Sequence, residues 1–312
     1  MRIAILGATS QIARDLIQSF AKNSSHDLVL YARRPQAVTL WLNQANLAQT
    51  FSVADFAALT TDEHFDAILN FVGVGNPARA AAMGASIFDV TLTYDEMALG
   101  YVRQHPTCRY IFLSSGAAYG SNFETPADPD TRAVIDINHL RMQDWYGVAK
   151  MHAECRHRTL TGLPIVDIRI FNYFSASADI QARFLITDIL RAIMHGELFR
   201  TSQTNITRDY AGPQEISELV RLVLSAPPVN AVVDSFTREP VDKLSMLEAM
   251  RSEFGLRYEL VAAPTGMTAT GNKTHYYSRN HKAAELFGYA PKATSVEVVI
   301  QQARQLLASL DH

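Results

Sequence analysis

The chain predicts an α/β fold, a doubly wound parallel sheet followed by a smaller C-terminal mixed α/β part. Three observations predict it. Short strand-like runs at residues 3–6, 28–31, 50–53, 65–72, 109–113 and 165–170 are interleaved with helical patterns. The first of them is apolar at successive positions, as expected of a strand buried on both faces. Beyond Ser175 the character changes: helical patterns at 180–195, 213–224 and 241–254 are separated by strand-like pieces near 207–210, 231–235 and 257–261, and a last helix covers 295–310. The expected division is therefore 1–175, carrying the main sheet, and 176–312, the smaller part, with some sheet-completing elements interleaved.

At 312 residues the chain suits one large α/β domain or two intimately joined ones. It is 48% hydrophobic and 19% charged with a net charge of −3, an ordinary globular composition. No basic excess points to nucleic acid, and no apolar run has membrane-spanning length. The apolar N-terminus is broken by Gly7 too early for a signal peptide, so a cytoplasmic protein is expected. The two cysteines, Cys108 and Cys155, make no disulfide framework and are expected as reduced, buried thiols. His152, Cys155 and His157 share a helix without a second ligand cluster nearby, so no metal site is expected.

The first strand runs into Gly7-Ala8-Thr9-Ser10-Gln11-Ile12-Ala13, which opens a helix through Phe20. Strand, glycine turn and helix form the context that receives a dinucleotide pyrophosphate on backbone N–H groups and a helix N-terminus. A full fingerprint has glycine at all three positions occupied here by Gly7, Ser10 and Ala13. Alanine still permits close helix packing. Serine restricts the approach of the phosphates but brings a hydroxyl that can donate to one. Gly7, Thr9, Ser10, Gln11 and Ile12 are the candidate phosphate-facing residues. The second strand ends in Tyr31-Ala32-Arg33-Arg34-Pro35, without the acid that would hold a ribose 2′-hydroxyl. Arg33 suits a 2′-phosphate through its charge and fork geometry, so NADP is expected over NAD; the alternative is a solvated basic loop. Asp55 and Phe56, after the third strand, are placed along an adenine. Val72 and Gly73 end the fourth strand, where glycine lets a ligand approach the backbone. A long helix is expected over 78–102.

The strand at 109–113 leads into Ser114-Ser115-Gly116-Ala117-Ala118-Tyr119-Gly120. Serines at the carboxyl end of a parallel strand lie where ligands bind in open α/β sheets, although plain turn chemistry is the alternative. Tyr146-Gly147-Val148-Ala149-Lys150 follows within a helical stretch, 142–159. Residues four apart share a helix face at about 5–6 Å between Cβ atoms. A phenol and an ammonium are then side by side, and the cation favours the phenolate, as a general acid/base requires. Among 12 tyrosines such a pair also arises by accident. The nucleotide turn upstream and the serine partner give it a chemical meaning.

Taken together, these residues resemble the extended short-chain dehydrogenase/reductase family of nucleotide-sugar epimerases, dehydratases and reductases, over nearly the whole chain. The resemblance rests on Gly7-x-x-Ser10-x-x-Ala13, Ser114-Ser115-x-x-Ala118-Tyr119-Gly120, Tyr146-Gly-x-x-Lys150 with Ala153-Glu154, Arg169-x-Phe171-Asn172, Arg208-Asp209-Tyr210 and the run from Lys282 to Tyr289. It implies a Rossmann-like fold. It makes Tyr146 the proton donor and acceptor, Lys150 the holder of the nicotinamide ribose, and Ser115 the partner of the substrate oxygen. It places Asn172 and Arg208 on the diphosphate of a nucleotide sugar, with Arg183 and Lys273 as further candidates, and it implies a homodimer through the 78–102 and Tyr146 helices. Dehydratases of the family have Thr-Asp-Glu where this chain has Ser115-Gly116-Ala117, which argues against elimination of water. Many relatives have asparagine at the position of Asp89. An epimerase gains from tightly held NAD, whereas Arg33 favours exchanging NADP. The expected activity is therefore NADPH-dependent reduction of a nucleotide-linked 4-keto-6-deoxy sugar. A 4-epimerase with bound NAD is the alternative, and a non-catalytic NADP sensor the second alternative.

Overall fold

The computed structural model describes residues 1–23, 26–47, 50–74, 80, 82–262 and 273–310. The chain opens with β1 (Arg2–Leu6), α1 (Gln11–Asn23), β2 (Asp27–Tyr31), α2 (Pro35–Gln44), β3 (Ser52–Ala54) and β4 (Ala67–Asn70). It continues with α3 (Ser86–Gln104), β5 (Arg109–Ser115), α4 (Met142–Thr159) and β6 (Ile165–Ile170). Then follow β7 (Asn172–Tyr173), α5 (Leu185–His195), β8 (Leu198–Ser202), β9 (Thr207–Arg208), β10 (Tyr210–Ala211), α6 (Pro213–Ser225) and β11 (Ala231–Asp234). The chain closes with β12 (Val241–Asp242), α7 (Lys243–Phe254), β13 (Arg257–Val261), β14 (His275–Tyr276), α8 (Lys282–Phe287) and α9 (Ser295–Leu310).

Seven strands pair in parallel in the order β11-β6-β5-β4-β1-β2-β3. This is the Rossmann-like doubly wound sheet. The strand order reverses between β1 and β4, and ligands of open α/β sheets bind outside the carboxyl ends at such a switch point. Alternation along each strand builds a core on either face. Ile3, Ile5, Leu28, Leu30 and Leu69 face α1 and α6. Ala4, Leu6, Ile68, Tyr110 and Phe112 face α3 and α4. A third core gathers α5, α7 and α9 around Leu190, Leu247 and Val299. Among the described residues no helix is long and apolar enough to cross a membrane.

Some elements differ from the sequence expectation. The helix expected over 78–102 is present but interrupted: Ala80, Ala82 and Met83 are helical, Gly84 turns left-handed at φ 57°, and α3 starts afresh at Ser86; residues 75–79 and 81 lie outside the described residues. The helix expected from 180 begins at Leu185, after extended Phe184. The sequence reading had no place for α2, which starts on Pro35 at its first turn, or for β8. Cys108 is buried as expected, but Cys155 sits on the outer face of α4 and is exposed. Of the surface loop expected over 263–273, only Lys273 is described.

Helix α4 is positioned by close contact and by buried charge. A Cβ on Gly147 would lie 2.6 Å from the Ala117 carbonyl oxygen, so the helix rests directly on the backbone after β5. Further along α4, His157 is wholly buried. Its Nδ1 meets Asp167 at 2.6 Å and its Nε2 meets Asp95 at 2.7 Å. Arg156 adds a bond to Asp95 at 2.7 Å and Arg158 one to Asp167 at 2.8 Å. Burial alone would lower the imidazole pKa, but the hydrogen bonds and charges of Asp167 and Asp95 win and raise it to about 9.

Two outcomes follow from this packing. Gly147→Ala is expected to cost about 1–3 kcal/mol through overpacking, read as a lower thermal midpoint, and to displace Tyr146. For His157 the folded pKa lies above the unfolded value of about 6.5. Its stabilisation is therefore complete below that pH and is lost as pH rises through about 9. The thermal midpoint is expected to fall across this window, and His157→Gln to flatten that limb. A wild-type midpoint that does not change between these pH values would contradict the charged-imidazole assignment.

Candidate active site

Strand β5 delivers two serines in opposite directions. Ser114 donates to Glu154 at 2.5 Å and so faces α4. Ser115 caps the 3₁₀ turn Gly116–Tyr119, its Oγ accepting from the Ala117 amide at 3.1 Å. Tyr146, carried by α4, is the phenol whose pKa the nearby Ser115 hydroxyl lowers. The structure thus separates Ser114, bonded to Glu154, from Ser115, which caps the turn and faces Tyr276. Burial holds the Tyr146 phenol above its ordinary pKa, and the Ser115 hydroxyl opposes that rise.

Lys150 departs from the simple helix-face expectation. Its Nζ donates to the Leu113 carbonyl at 2.7 Å and lies 4.3 Å from the Phe112 ring centroid. The ammonium is directed at β5, and the expected lowering of the Tyr146 pKa does not arise. The reason is desolvation: a buried ammonium takes the acceptor and ring that compensate it best. Burial lowers its own pKa to about 8, against the raising fields of Asp95, Glu154 and Asp167.

The other end of the crevice is backbone-lined. Gly7 adopts φ 80°, and a Cβ there would lie 2.9 Å from Phe71 C and Val72 N. Only glycine fits the turn. Ser10 heads α1, its Oγ accepting from the Ala13 amide at 3.2 Å, which leaves the hydroxyl proton to be donated. Gln11 donates to Ser175 Oγ at 2.8 Å and ties α1 to the segment after β7. Thr9 is exposed and Ile12 half-buried. Arg33 is exposed just beyond β2. Asp55 accepts from the Ala57 amide at 2.9 Å. The Phe56 ring is buried against Tyr94, with centroids 4.4 Å apart, so it lies in the core and not along an adenine. The Val72 amide donates to Asn70 Oδ1 at 2.9 Å. Gly73 faces Lys150, whose Nζ would be 3.4 Å from a Cβ at that position. Gly7, the start of α1 and Gly73 with Lys150 thus stand together at the carboxyl ends of β1 and β4, and the turn is closed to any side chain at Gly7.

Beyond Ser115 lies a cationic, aromatic wall. Asn172 Nδ2 donates to the carbonyls of Asp209 at 3.1 Å and Tyr276 at 3.3 Å, so its amide ties β7 to the β9 and β14 segments. Arg208 is buried, donates to the Thr207 carbonyl at 2.8 Å, and has its Cζ 5.9 Å from the Tyr276 centroid. Lys273 donates to the Gly120 carbonyl at 3.3 Å and lies 4.4 Å from the Tyr276 ring. Burial, and then the Arg208 charge, lowers the Lys273 pKa to about 8. Arg183 stands apart: it is exposed and paired with Asp188 at 3.1 Å beside the start of α5. Asp89 is exposed on α3. Sequence reasoning missed Tyr276, whose hydroxyl is 3.5 Å from Ser115 Oγ. Its only signal was its position three residues after Lys273.

The family model described as the NAD dependent epimerase/dehydratase family matches residues 3–233. No curated protein matches the chain. Among solved structures, the chain is similar to a UDP-glucose 4-epimerase from Thermotoga maritima solved with UDP-glucose: 15% identity, 99% of this chain and 100% of that one covered, TM-score 0.80. A UDP-glucuronic acid 4-epimerase from Bacillus cereus, in complex with UDP-glucuronic acid and NAD, shares 14% identity over 99% and 100% of the two chains, with TM-score 0.77. A dTDP-glucose 4,6-dehydratase from Bacillus anthracis, in complex with NAD, shares 14% over 100% and 98%, with TM-score 0.78. At these identities the likenesses establish the fold. The family match itself runs from the first strand of the large sheet to the last in sequence, β11, and so takes in the whole frame that brings Ser115, Tyr146 and Lys150 together. The chain belongs to the NAD-dependent epimerase/dehydratase family, enzymes of the extended short-chain dehydrogenase/reductase type.

Proposed function

We propose that the protein is an NADPH-dependent reductase of a nucleotide-linked 4-keto-6-deoxy sugar. The observation that carries this reading is the seating of the Tyr146 helix, at Gly147, on the turn that Ser115 caps at the carboxyl end of β5, with Lys150 beside Gly73. A bound nicotinamide supplies the hydride. Tyr146 gives its proton to the oxygen of the carbonyl as that oxygen gains charge, and Ser115 donates a hydrogen bond to the same oxygen. Lys150, charged below a pKa of about 8, holds positive charge beneath the nicotinamide-ribose position. Arg33 is assigned to a 2′-phosphate. Arg208 and Lys273 are assigned to the diphosphate: burial lowers the pKa of both, and an anion between them would offset that cost. Asn172 is assigned to holding the strands that carry them.

In this reading residues 1–175 hold the dinucleotide and 176–312 shape the substrate side, with β11 returned to the sheet. Two copies pair through α3 and α4 as the resemblance implies, and a nucleotide-sugar substrate places the work in the cytoplasm. The second reading is a 4-epimerase with retained NAD, supported by the names of the similar epimerases. Dehydration is disfavoured by Gly116 and Ala117, which offer no acid/base pair.

The deciding experiment supplies NADPH or NADH with a panel of nucleotide-linked 4-keto sugars. Wild type is expected to oxidise NADPH. Tyr146→Phe is expected to lose about 10²–10⁴-fold in kcat while still binding the cofactor. Arg33→Ala is expected to weaken NADPH about tenfold and leave NADH unchanged, a difference of about 1.4 kcal/mol. Interconversion of epimers without net oxidation would transfer the assignment to the epimerase. Binding of NADPH without turnover on any sugar, with Tyr146→Phe indistinguishable, would sink the enzymatic reading in favour of a sensor.

A further inference from the structure

Tyr276 reaches the reaction centre from the far end of the chain. Strand β14 pairs in parallel with β9, with His275 opposite Thr207 and Tyr276 opposite Arg208. Asn172 holds the Tyr276 carbonyl at 3.3 Å. The ring packs edge-on against Phe123, at 4.8 Å between centroids, and beside Phe171 at 5.2 Å. Only 5% of the residue is exposed. The phenol is therefore held from three sides, as a fixed part of the wall.

A serine hydroxyl has one proton and two lone pairs. The Ala117 amide takes one lone pair of Ser115 Oγ, at 3.1 Å. The Tyr276 hydroxyl lies 3.5 Å from the same atom, at the outer limit of a hydrogen bond. If Ser115 gave its proton to Tyr276, none would remain for the oxygen that Tyr146 serves. A phenol is a more acidic hydroxyl than that of serine, so Tyr276 is the better donor of the two, and burial keeps it protonated.

We propose that Tyr276 is a positioning residue for Ser115: its phenol donates to Oγ, both lone pairs are then taken, and the one serine proton is turned outward, towards the Tyr146 oxygen in the empty site and onto the substrate oxygen in the filled one. This rests on the reading of Tyr146 as the proton carrier. It gives a second phenol a role in the same step without making it the acid. The Lys273 and Arg208 charges beside its ring strengthen its hydroxyl as a donor.

The test uses the titration of Tyr146, which needs neither substrate nor cofactor. Protein carrying tyrosine labelled with ¹³C at Cζ is titrated by NMR, and the Tyr146 signal is identified by its loss in Tyr146→Phe. Tyr276→Phe keeps the packed ring and removes only the hydroxyl. It is expected to shift the Tyr146 phenolate equilibrium about three- to tenfold towards the phenol, so that its pKa rises. Ser115→Ala is expected to do the same, and Tyr276→Phe added to Ser115→Ala to do nothing more, because Tyr276 acts through the serine. An unshifted Tyr146 in Tyr276→Phe, or a full additional shift in the double variant, would overturn the proposal. Near-ultraviolet circular dichroism of each variant checks that the aromatic packing persists, and Tyr276→Leu serves as a control that disturbs packing without a polar substitution. If a single shift appears only in Tyr276→Leu, the role is packing and the proposal fails. Turnover on the sugar panel is a separate readout: its absence would sink the reductase reading and leave the titration result standing.

Discussion

The helix that carries Tyr146 rests on the strand end that carries Ser115 at backbone contact distance. The contact is possible only where residue 147 has no side chain, since any Cβ would meet the Ala117 carbonyl. That carbonyl belongs to the 3₁₀ turn that Ser115 itself caps. Serine cap, turn, glycine and tyrosine are therefore one mechanical unit: the hydrogen bond that orders the turn also sets the surface on which the helix lies. Gly116 adds a second constraint, because a Cβ there would fall 2.5 Å from the Phe171 ring. The ring is one of those that hold Tyr276. Close packing of this kind has little slack, so the geometry of the candidate site is fixed by van der Waals contact before any polar bond is counted.

The buried face of α4 is a polar stripe. Lys150, Glu154 and His157 succeed one another at helical spacing, and each is buried. Each meets partners outside its own helix: Lys150 the Leu113 carbonyl on β5, Glu154 the Arg169 guanidinium on β6, and His157 the carboxylates of Asp95 on α3 and Asp167 on β6. Ion pairs of this kind add little net stability over an apolar core, but breaking one is costly. Rotating α4 by even a fraction of a turn would strand three charges at once. The stripe thus specifies the helix azimuth, and the azimuth aims Tyr146.

Much of this was legible in the sequence. The bounds of α4, β6 and α9 follow the apolar patterns directly, and the resemblance identified Ser115, Tyr146 and Lys150 as a set. What was not legible has physical causes. Helix spacing fixes where Cβ atoms stand but not where a four-carbon stem leads, so Lys150 was paired with Tyr146 when desolvation turns it towards β5. Phe56 was read as exposed to a ligand because nothing local announces Tyr94 as its partner. The break at Gly84 hides in a sequence that otherwise reads as helix. Tyr276 and the carboxylate partners of His157 arrive by long-range pairing, which leaves no periodic trace. Arg183, a further candidate for the diphosphate, is held by Asp188 at the start of a helix.

Strand β11 lies at the edge of the sheet, yet it is made after α5, α6 and four small strands. Until it is synthesised, β6 presents an open edge, and Asp234 is missing from its place beside Arg169, Tyr119 and Ser278. A nascent chain ending near Ile170 therefore carries six strands with their hydrogen-bonding edge uncovered, a template for pairing with other chains. The order of elements along the polypeptide makes completion of the sheet a late event in biosynthesis. It places the period of greatest exposure to misassembly on the ribosome, between emergence of β6 and emergence of β11.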